Sequence, residues 1–259
     1  MRLDAASHPM IKQFILTIPV RVVACACLSL SMLTVSLTSH AALTLNSTRI
    51  VFNGDKRSSS VVIRNPSKNT YAVQTWINTE ADDNTTSVPF ATSPPLFKIN
   101  PSGEQLLQIN GLPNTLPHDR ESLFFFNLQE IPQATTETSN QLNIAMRTRV
   151  KLFYRPAKLK GKPTDHLKSL TFSVTERDGV KQLLVNNPSP FHITFIRLKV
   201  DGQGQQHTLK NTAMLAPFSE RLYPLPGIAR TAGLQAHFSV INDYGGYTDP
   251  LSAPVQPAN

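Results

Sequence analysis

The chain has 259 residues, of which 40% are aliphatic or aromatic and only 16% are charged. This composition excludes a disordered chain and a coiled coil, and the length suffices for two domains of ordinary size. The formal net charge of +8 fits a nucleic-acid, acidic-lipid or anionic protein partner, so charge alone does not choose among these classes. The twenty prolines favour β structure over helix.

Residues 1–41 have the three parts of a secretory signal peptide. Basic residues come first, an uncharged apolar run covers 22–37, and Ser-His-Ala at 39–41 forms a small-x-small cleavage site. We therefore predict export and a mature chain that begins at Ala42, which argues against a nucleic-acid partner. The apolar run is too short to predict a membrane span.

Two alternatives stay open in this leader. Met10 competes with Met1 as the translation start, and Val-Val-Ala-Cys at 22–25 resembles a lipoprotein box. The lipoprotein box is disfavoured because the apolar run continues beyond Cys25. Cys25 and Cys27 are the only cysteines of the chain, so the predicted mature protein has neither a disulfide nor a thiolate.

Short β-like runs separated by turn residues follow the leader. Runs at this spacing, with Gly, Pro and Asn between them, are typical of a β-sandwich. The predicted strands of the first half cover residues 43–52, 60–64, 71–77, 106–109 and 123–128.

One local pattern occurs twice, 122 residues apart. Residues 61–67 (Val-Val-Ile-Arg-Asn-Pro-Ser) resemble residues 183–189 (Leu-Leu-Val-Asn-Asn-Pro-Ser), since three apolar residues lead into an Asn-Pro-Ser turn in both. The separation is about one sandwich domain, so the repeat favours two related domains.

A domain boundary is predicted near residue 160. Pro156 ends a strand because it cannot donate to a ladder, and a polar, basic hinge containing Gly161 follows it. A second set of strands is predicted from Leu167 to about residue 255. The predicted domains are therefore 42–159 and 160–259.

The most informative segment covers residues 140–155, where an apolar row and a basic row alternate. Successive side chains of a strand point to opposite faces, so this pattern predicts a strand with two different faces. Periodicity alone favours an ordinary core strand, but a length of about 14 residues is unusual. Together with the polar loop 132–139, that length favours an overhanging strand with an exposed apolar edge. The apolar row is Leu142, Ile144, Met146, Thr148, Val150 and Leu152, and the other row is Asn143, Ala145, Arg147, Arg149, Lys151, Phe153 and Arg155.

Four blocks resemble the PapD-like periplasmic pilus chaperones. They are long, lie in the order of that family and span nearly all of the predicted mature chain. The resemblance implies an all-β fold of two immunoglobulin-like sandwiches at an angle, with a cleft between them. The blocks are Thr-Arg-Ile-Val-Phe at 48–52, Arg-Glu-Ser-Leu-Phe-Phe-Phe-Asn-Leu-Gln-Glu-Ile-Pro at 120–132, Lys-Leu-Phe-Tyr-Arg-Pro at 151–156 and Asn-Asp-Tyr-Gly-Gly at 242–246.

The resemblance also implies roles for particular residues. Two cations, Arg49 and Lys151, would anchor the C-terminal carboxylate of a pilus subunit through charge-assisted hydrogen bonds. Ordinary surface salt bridging is the alternative for any Arg or Lys. The implied donor residues, which would fill a groove of an incomplete subunit, are Leu142, Ile144 and Met146. The implied interdomain ion network is Glu121, Arg155 and Asp243.

The same resemblance implies a periplasmic location, fimbrial subunits as clients and an outer-membrane usher as the receiver of the loaded complex. It implies no cofactor, no metal, no catalytic residue and no insertion into a membrane. It further implies a monomer when loaded and allows a self-capped oligomer when empty. The short loop before the donor segment and the absence of mature cysteines favour the short-loop class of the family.

Two other function classes compete with this interpretation. An enzyme is disfavoured because the sequence has no His-Glu-x-x-His pair, no Gly-x-Ser-x-Gly elbow and no Ser-x-x-Lys motif. A fimbrial subunit or adhesin is disfavoured because such proteins are usually one incomplete domain with a disulfide. This chain has two predicted domains and no mature cysteine.

Overall fold

The computed structural model describes residues 43–83, 85–131 and 145–257. The predicted signal peptide and the first two predicted donor residues, Leu142 and Ile144, lie outside these ranges. The described chain consists of strands, loops and one short 3-10 helix, Pro163–Ser169. Within these ranges, no helix has the length and apolar character needed to span a bilayer.

The first nine strands form an N-terminal sandwich of two sheets. One sheet has the order β1-β3-β7-β5, and the other has the order β2-β9-β8-β4-β6. All neighbouring strands are antiparallel except β2 and β9, which are parallel. The strands are Thr44–Leu45 (β1), Arg49–Asn53 (β2), Ser58–Arg64 (β3), Tyr71–Asn78 (β4), Phe90–Ser93 (β5), Leu96–Ile99 (β6), Glu104–Gly111 (β7), Ser122–Ile131 (β8) and Arg147–Arg155 (β9).

Packing of this sandwich rests on alternation along its strands. Phe124 and Phe126 of β8 lie in the core, whereas Phe125 between them points to the opposite face and lies under a guanidinium. Phe90 joins the two sheets through edge contacts, with ring centroids 5.2 Å from Phe52 and 5.1 Å from Phe124. Edge-to-face pairs of this kind add to the free energy gained by burying the rings.

The remaining strands form a C-terminal sandwich. Strands β10, β11 and β14 make one layer, and β12, β13 and β15 make the other. Strand β16 pairs with both β15 and β10, so it joins the layers along one edge. The strands are Thr171–Arg177 (β10), Val180–Asn187 (β11), Phe195–Gly202 (β12), Gln205–Thr208 (β13), Ser219–Pro224 (β14), Gln235–Val240 (β15) and Leu251–Gln256 (β16).

The predicted all-β architecture of two sandwich domains is confirmed, with differences in detail. The predicted run 43–52 is two strands, because β1 pairs with β3 of one sheet and β2 pairs with β9 of the other. Leu167 does not begin the second set of strands. It lies in the 3-10 helix and packs into the C-terminal core, so the first strand there begins at Thr171.

The repeated Asn-Pro-Ser pattern forms the same turn in both sandwiches. The side-chain oxygen of Asn65 accepts hydrogen bonds from the backbone N–H (3.1 Å) and the hydroxyl (2.7 Å) of Ser67. Asn187 and Ser189 repeat these bonds at 3.1 Å and 2.7 Å. Asn at such a position replaces backbone hydrogen bonds that a turn leaves unmade, which is why the motif occurs once in each domain.

Candidate functional site

The parallel pairing of β2 and β9 brings two cations together. Arg49 is the first residue of β2 and stands directly opposite Lys151 of β9 in the ladder. Paired residues of adjacent strands direct their side chains to the same face of a sheet. Both cations therefore lie on the outer face of this sheet, opposite to the face that carries the core residues Ile50 and Leu152.

Arg49 reaches from the N-terminal sandwich to the C-terminal one. Its Nη1 donates a hydrogen bond to the backbone carbonyl of Ile241 (3.1 Å), and its guanidinium lies 5.6 Å from the ring centroid of Phe153. Its Nε is buried and has no partner among the described residues. Burial lowers the pKa of Arg49, while the charges of Asp243 and Glu121 act in the opposite direction.

Lys151 is also partly withdrawn from solvent. Burial lowers the pKa of its ammonium group, the charge of Arg49 lowers it further, and the carboxylate of Glu80 opposes both effects. Two like charges side by side on a partly desolvated surface repel each other, so the pair gains free energy when an anion binds between them.

A cavity of about 520 Å³ lies beside Arg49, and Lys151 is not among its lining residues. Residues of both sandwiches line it, including Ser60 from the first and Asp243 and Tyr244 from the second. Arg49 therefore lines an open space to which both sandwiches contribute residues.

The second feature of this junction is an ion network around Arg155, the last residue of β9. Its guanidinium donates to Glu121 Oε1 from Nε (3.0 Å) and Nη2 (2.7 Å). It also donates to both carboxylate oxygens of Asp243, from Nη1 (2.9 Å) and Nη2 (3.0 Å). The structure thus brings together all three residues that the resemblance connected.

The register of β8 and β9 explains why Glu121 lies beside Arg155. Ser122 pairs with Tyr154 across β8 and β9, so the next pair outward is Glu121 and Arg155. Burial by itself lowers the pKa of Arg155, but the hydrogen bonds and charges of Asp243 and Glu121 outweigh it and raise that pKa.

His192 is a member of this network that sequence reasoning missed. Its backbone N–H donates to Glu121 Oε2 (2.8 Å), and its ring Nδ1 lies 3.2 Å from the same oxygen. The backbone N–H of Glu121 in turn donates to the carbonyl of Pro190 (3.0 Å). Glu121 therefore contacts the C-terminal sandwich in three ways. A lone His after a Pro-Phe pair gave no sequence signal for this role.

The block Asn-Asp-Tyr-Gly-Gly is the tight turn that presents Asp243. Asn242 Oδ1 accepts hydrogen bonds from the N–H groups of Tyr244 and Gly246, both at 3.0 Å. Gly245 has φ of +82°, and a Cβ there would collide with the hydroxyl of Thr48 in the other sandwich. Glycine is favoured at this φ, and Thr48 leaves no room for a Cβ, so both the turn and the contact with the other sandwich favour glycine here.

Asp243→Asn is expected to lower stability and loosen the junction. The side chains of Arg155 and Asp243 are only 10% and 17% exposed, and breaking a buried pair by removing one charge typically costs about 3–5 kcal/mol. Thermal unfolding and small-angle scattering would measure both effects. The matched control is Asp249→Asn, an exposed carboxylate in the same connection. Equal unfolding temperatures and scattering profiles for Asp243→Asn and the parent would contradict the expectation.

The apolar row of β9 becomes less buried towards the start of the strand. Leu152 is fully buried, Val150 packs partly against the same core, and Met146 just before the strand is 51% exposed. All three share one face by parity. The carbonyl of Met146 still accepts a hydrogen bond from the backbone N–H of Glu130 (2.9 Å), so the backbone continues along β8 while its side chain has no core to enter.

Family models match both sandwiches. The model described as "Pili and flagellar-assembly chaperone, PapD N-terminal domain" matches residues 42–160. The model described as "Pili assembly chaperone PapD, C-terminal domain" matches residues 165–251. Together they cover most of the chain.

Individual relatives agree with these matches. "Probable fimbrial chaperone YadV" of Escherichia coli (strain K12) is 34% identical over 221 residues, covering 82% of this chain and 89% of the relative. The crystal structure of the E. coli chaperone DraB is 29% identical with a TM-score of 0.71, covering 83% of this chain and 97% of DraB. A Salmonella enterica structure of SafA pilin in complex with the SafB chaperone matches with a TM-score of 0.71 at 24% identity, over 84% of this chain and 98% of that one, and shows the fold alone.

Proposed function

Because this chain belongs to the PapD family of pilus-assembly chaperones, it is a chaperone of pilus subunits, and we propose that it holds them by donor-strand complementation. In this mode the chaperone lends a strand to an incomplete subunit. A subunit that lacks its last strand exposes an apolar groove and unpaired ladder edges, and both drive aggregation. A lent strand covers the groove with its side chains and satisfies the edges with its backbone.

The observation that carries the proposal is the change in burial along one face of β9. The row that is core at Leu152 is exposed at Met146. Single exposed apolar side chains are common on protein surfaces, so it is the position of Met146 in its row that supports strand donation. That row continues towards the positions that the resemblance identifies as donors, and a contiguous exposed apolar row needs a partner to cover it. We propose Leu142, Ile144 and Met146 as the donor residues. The first two lie outside the described residues, and their role rests on the resemblance.

We further propose Arg49 and Lys151 as the anchor for the C-terminal carboxylate of the subunit. Their opposed positions in the ladder, their lowered pKa values and the Nε of Arg49, which has no partner in the described chain, support this role. Glu121 and Asp243 compensate Arg49 only in part and through space, because their direct ion pairs are with Arg155. A carboxylate placed between the two cations would supply the missing charge and acceptors.

The ion network of Glu121, Arg155 and Asp243 is proposed to fix the orientation of the two sandwiches. A constant orientation keeps the carboxylate anchor and the donor strand at a set distance, which a rigid client requires. The remaining proposals follow the family: delivery to an outer-membrane usher, a monomer when loaded, a self-capped oligomer when empty, and no catalytic or cofactor chemistry.

Co-purification from the periplasm tests this function. The tagged parent protein is expected to retain one or more pilus subunits, identified by mass spectrometry of the bound protein. It should itself stay a soluble monomer when loaded. Open-ended polymerisation of the purified protein without a client, as distinct from a closed self-capped oligomer, would favour the alternative of a fimbrial subunit or adhesin.

Export is proposed to follow from cleavage after Ala41, leaving domains 42–159 and 160–259 in the periplasm. Intact mass of the periplasmic form is expected to correspond to a chain that begins at Ala42. A retained leader, or a lipid on Cys25, would contradict this processing.

A further inference from the structure

A polar cluster outside the anchor and the ion network surrounds the start of β9. We call it the Asp82 cluster, and it consists of Asn78, Asp82, Asn127, Arg147 and Arg149. Arg147 donates to both carboxylate oxygens of Asp82, at 3.1 Å from Nη1 and 2.5 Å from Nη2. Arg149 approaches the same carboxylate at 3.7 Å. One aspartate therefore holds two successive cations of the outer row of β9.

The cluster is attached to the interior of the sheet. Asn78 and Asn127 are buried and hydrogen-bonded to each other at 3.0 Å. Asn78 donates to Asp82 (2.7 Å), and Asn127 accepts from Arg147 at 3.1 Å from Nε and 2.6 Å from Nη2. Buried amides of β4 and β8 thus hold both the aspartate and the first arginine in place.

The guanidinium groups of Arg147 and Arg149 each pack on an aromatic ring. The Cζ of Arg147 lies 4.9 Å from the ring centroid of Trp76, and that of Arg149 lies 3.8 Å from Phe125. The Nη2 of Arg149 also donates to the carbonyl of Thr79 at 2.6 Å. A single exposed ion pair contributes little to stability, but a bidentate, stacked pair within a network holds its geometry.

The Asp82 cluster lies at the end of the β8–β9 ladder, next to the proposed donor residue Met146. Arg147 is the first residue of β9 and pairs with Gln129, the outermost ladder pair of β8 and β9. Met146, where the apolar row is exposed, is its neighbour in the chain. Ladder ends fray unless side chains hold them, and a slip of one residue would turn every donor side chain to the wrong face.

We propose that Asp82 is a positioning residue for strand donation: it clamps Arg147 and Arg149 and so sets the register and direction in which the chain joins the client. This inference rests on the proposed donor-strand function. In this role Asp82 acts through β9 rather than by contact with the client. Its backbone lies at φ of +59°, in the left-handed region.

Asp82→Ala tests the clamp in the free protein by hydrogen exchange followed by mass spectrometry. We expect the peptide covering residues 145–150 to exchange about tenfold faster or more, since the local opening loses a network of charged hydrogen bonds. Asp83→Ala is the matched control, because Asp83 has the same charge in the same loop, and its hydrogen bonds within the described chain go to Thr85 and Thr86. Asp82→Glu should restore slow exchange in part. Exchange in Asp82→Ala equal to the parent would overturn the inference.

A second variant keeps the test decisive if Asp82→Ala does not fold. Arg147→Lys preserves the charge but loses the bidentate contact, and it should show the same local increase in exchange. The pilus subunit identified by co-purification then serves as the client, and its dissociation should be faster from Asp82→Ala or Arg147→Lys than from Asp83→Ala. If Met146→Asp loses this client while both clamp variants keep it as the parent does, the positioning role is wrong and strand donation stands. If Met146→Asp also keeps it, strand donation itself fails.

Discussion

Lys151→Ala and Arg49→Ala are each expected to leave the protein folded and to abolish retention of its client. Truncating one member of a desolvated charge interaction costs about 2–5 kcal/mol, which is roughly 30-fold to several-thousand-fold in affinity. Lys151 lies on the outer face of the sheet, away from the core, so its removal should change the unfolding temperature little. Arg49→Ala also removes the hydrogen bond to the Ile241 carbonyl, so a modest decrease in unfolding temperature is expected for it. Co-purification with the client and titration of the purified complex would measure the loss.

The control for the anchor is Arg64→Ala. Arg64 is an exposed cation of β3 in the other sheet of the same sandwich, where it pairs with Glu104. Its removal changes the net charge by the same amount and should leave client binding unchanged. If all three variants lost the client equally, general charge attraction would explain binding and the anchor would be misplaced. If Arg49→Ala and Lys151→Ala bound as the parent does, the carboxylate site would lie elsewhere.

Met146→Asp and Ile144→Asp are expected to stay folded but to lose at least tenfold in client affinity. Burying one such apolar side chain contributes roughly 1.5–3 kcal/mol, and about 1.4 kcal/mol is a factor of ten. Exposure of 51% at Met146 means that a carboxylate there stays in water in the free protein. In the complex it would be forced into an apolar groove, which is where the affinity is lost.

Leu152→Asp is the matched control on the same row of β9. Leu152 is fully buried, so a carboxylate there should unfold the N-terminal sandwich or lead to degradation. If Met146→Asp stays folded while Leu152→Asp unfolds, the start of the row belongs to a donor strand and only its end belongs to the core. Circular dichroism and size-exclusion chromatography report folding, and client titration reports affinity. Unfolding of Ile144→Asp would instead place Ile144 in the core of the chaperone itself.

Much of the strand pattern was predictable because turn residues and alternation are local signals. The runs 60–64, 71–77, 106–109 and 123–128 all lie inside observed strands. Strands β5 and β6 were missed because only Pro94 and Pro95 separate them, and a pair of prolines indicates a turn or loop rather than two strands.

The anchor and ion-network residues were identified by a resemblance rather than from periodicity, and the structure shows which contacts position them. Alternation along the strand placed Lys151, Phe153 and Arg155 on one face of β9. The charges of Lys151 and Arg155 suggested that this face is exposed to solvent. In the fold, Phe153 is 3% exposed and Arg155 is 8% exposed. The C-terminal sandwich covers this end of the face, through the ring of His192 and the carboxylate of Asp243.

Residue order alone therefore determines which side chains share a face, where turns occur and that two similar sandwiches form, because each depends on neighbours within a few positions. Tertiary structure decides what covers each face. The contacts of Arg147 with Asp82, of Glu121 with His192 and of Arg155 with Asp243 join residues 65, 71 and 88 positions apart. No local signal encodes such pairs, since their distance is set by how strands are ordered in a sheet and how one sandwich packs against the next.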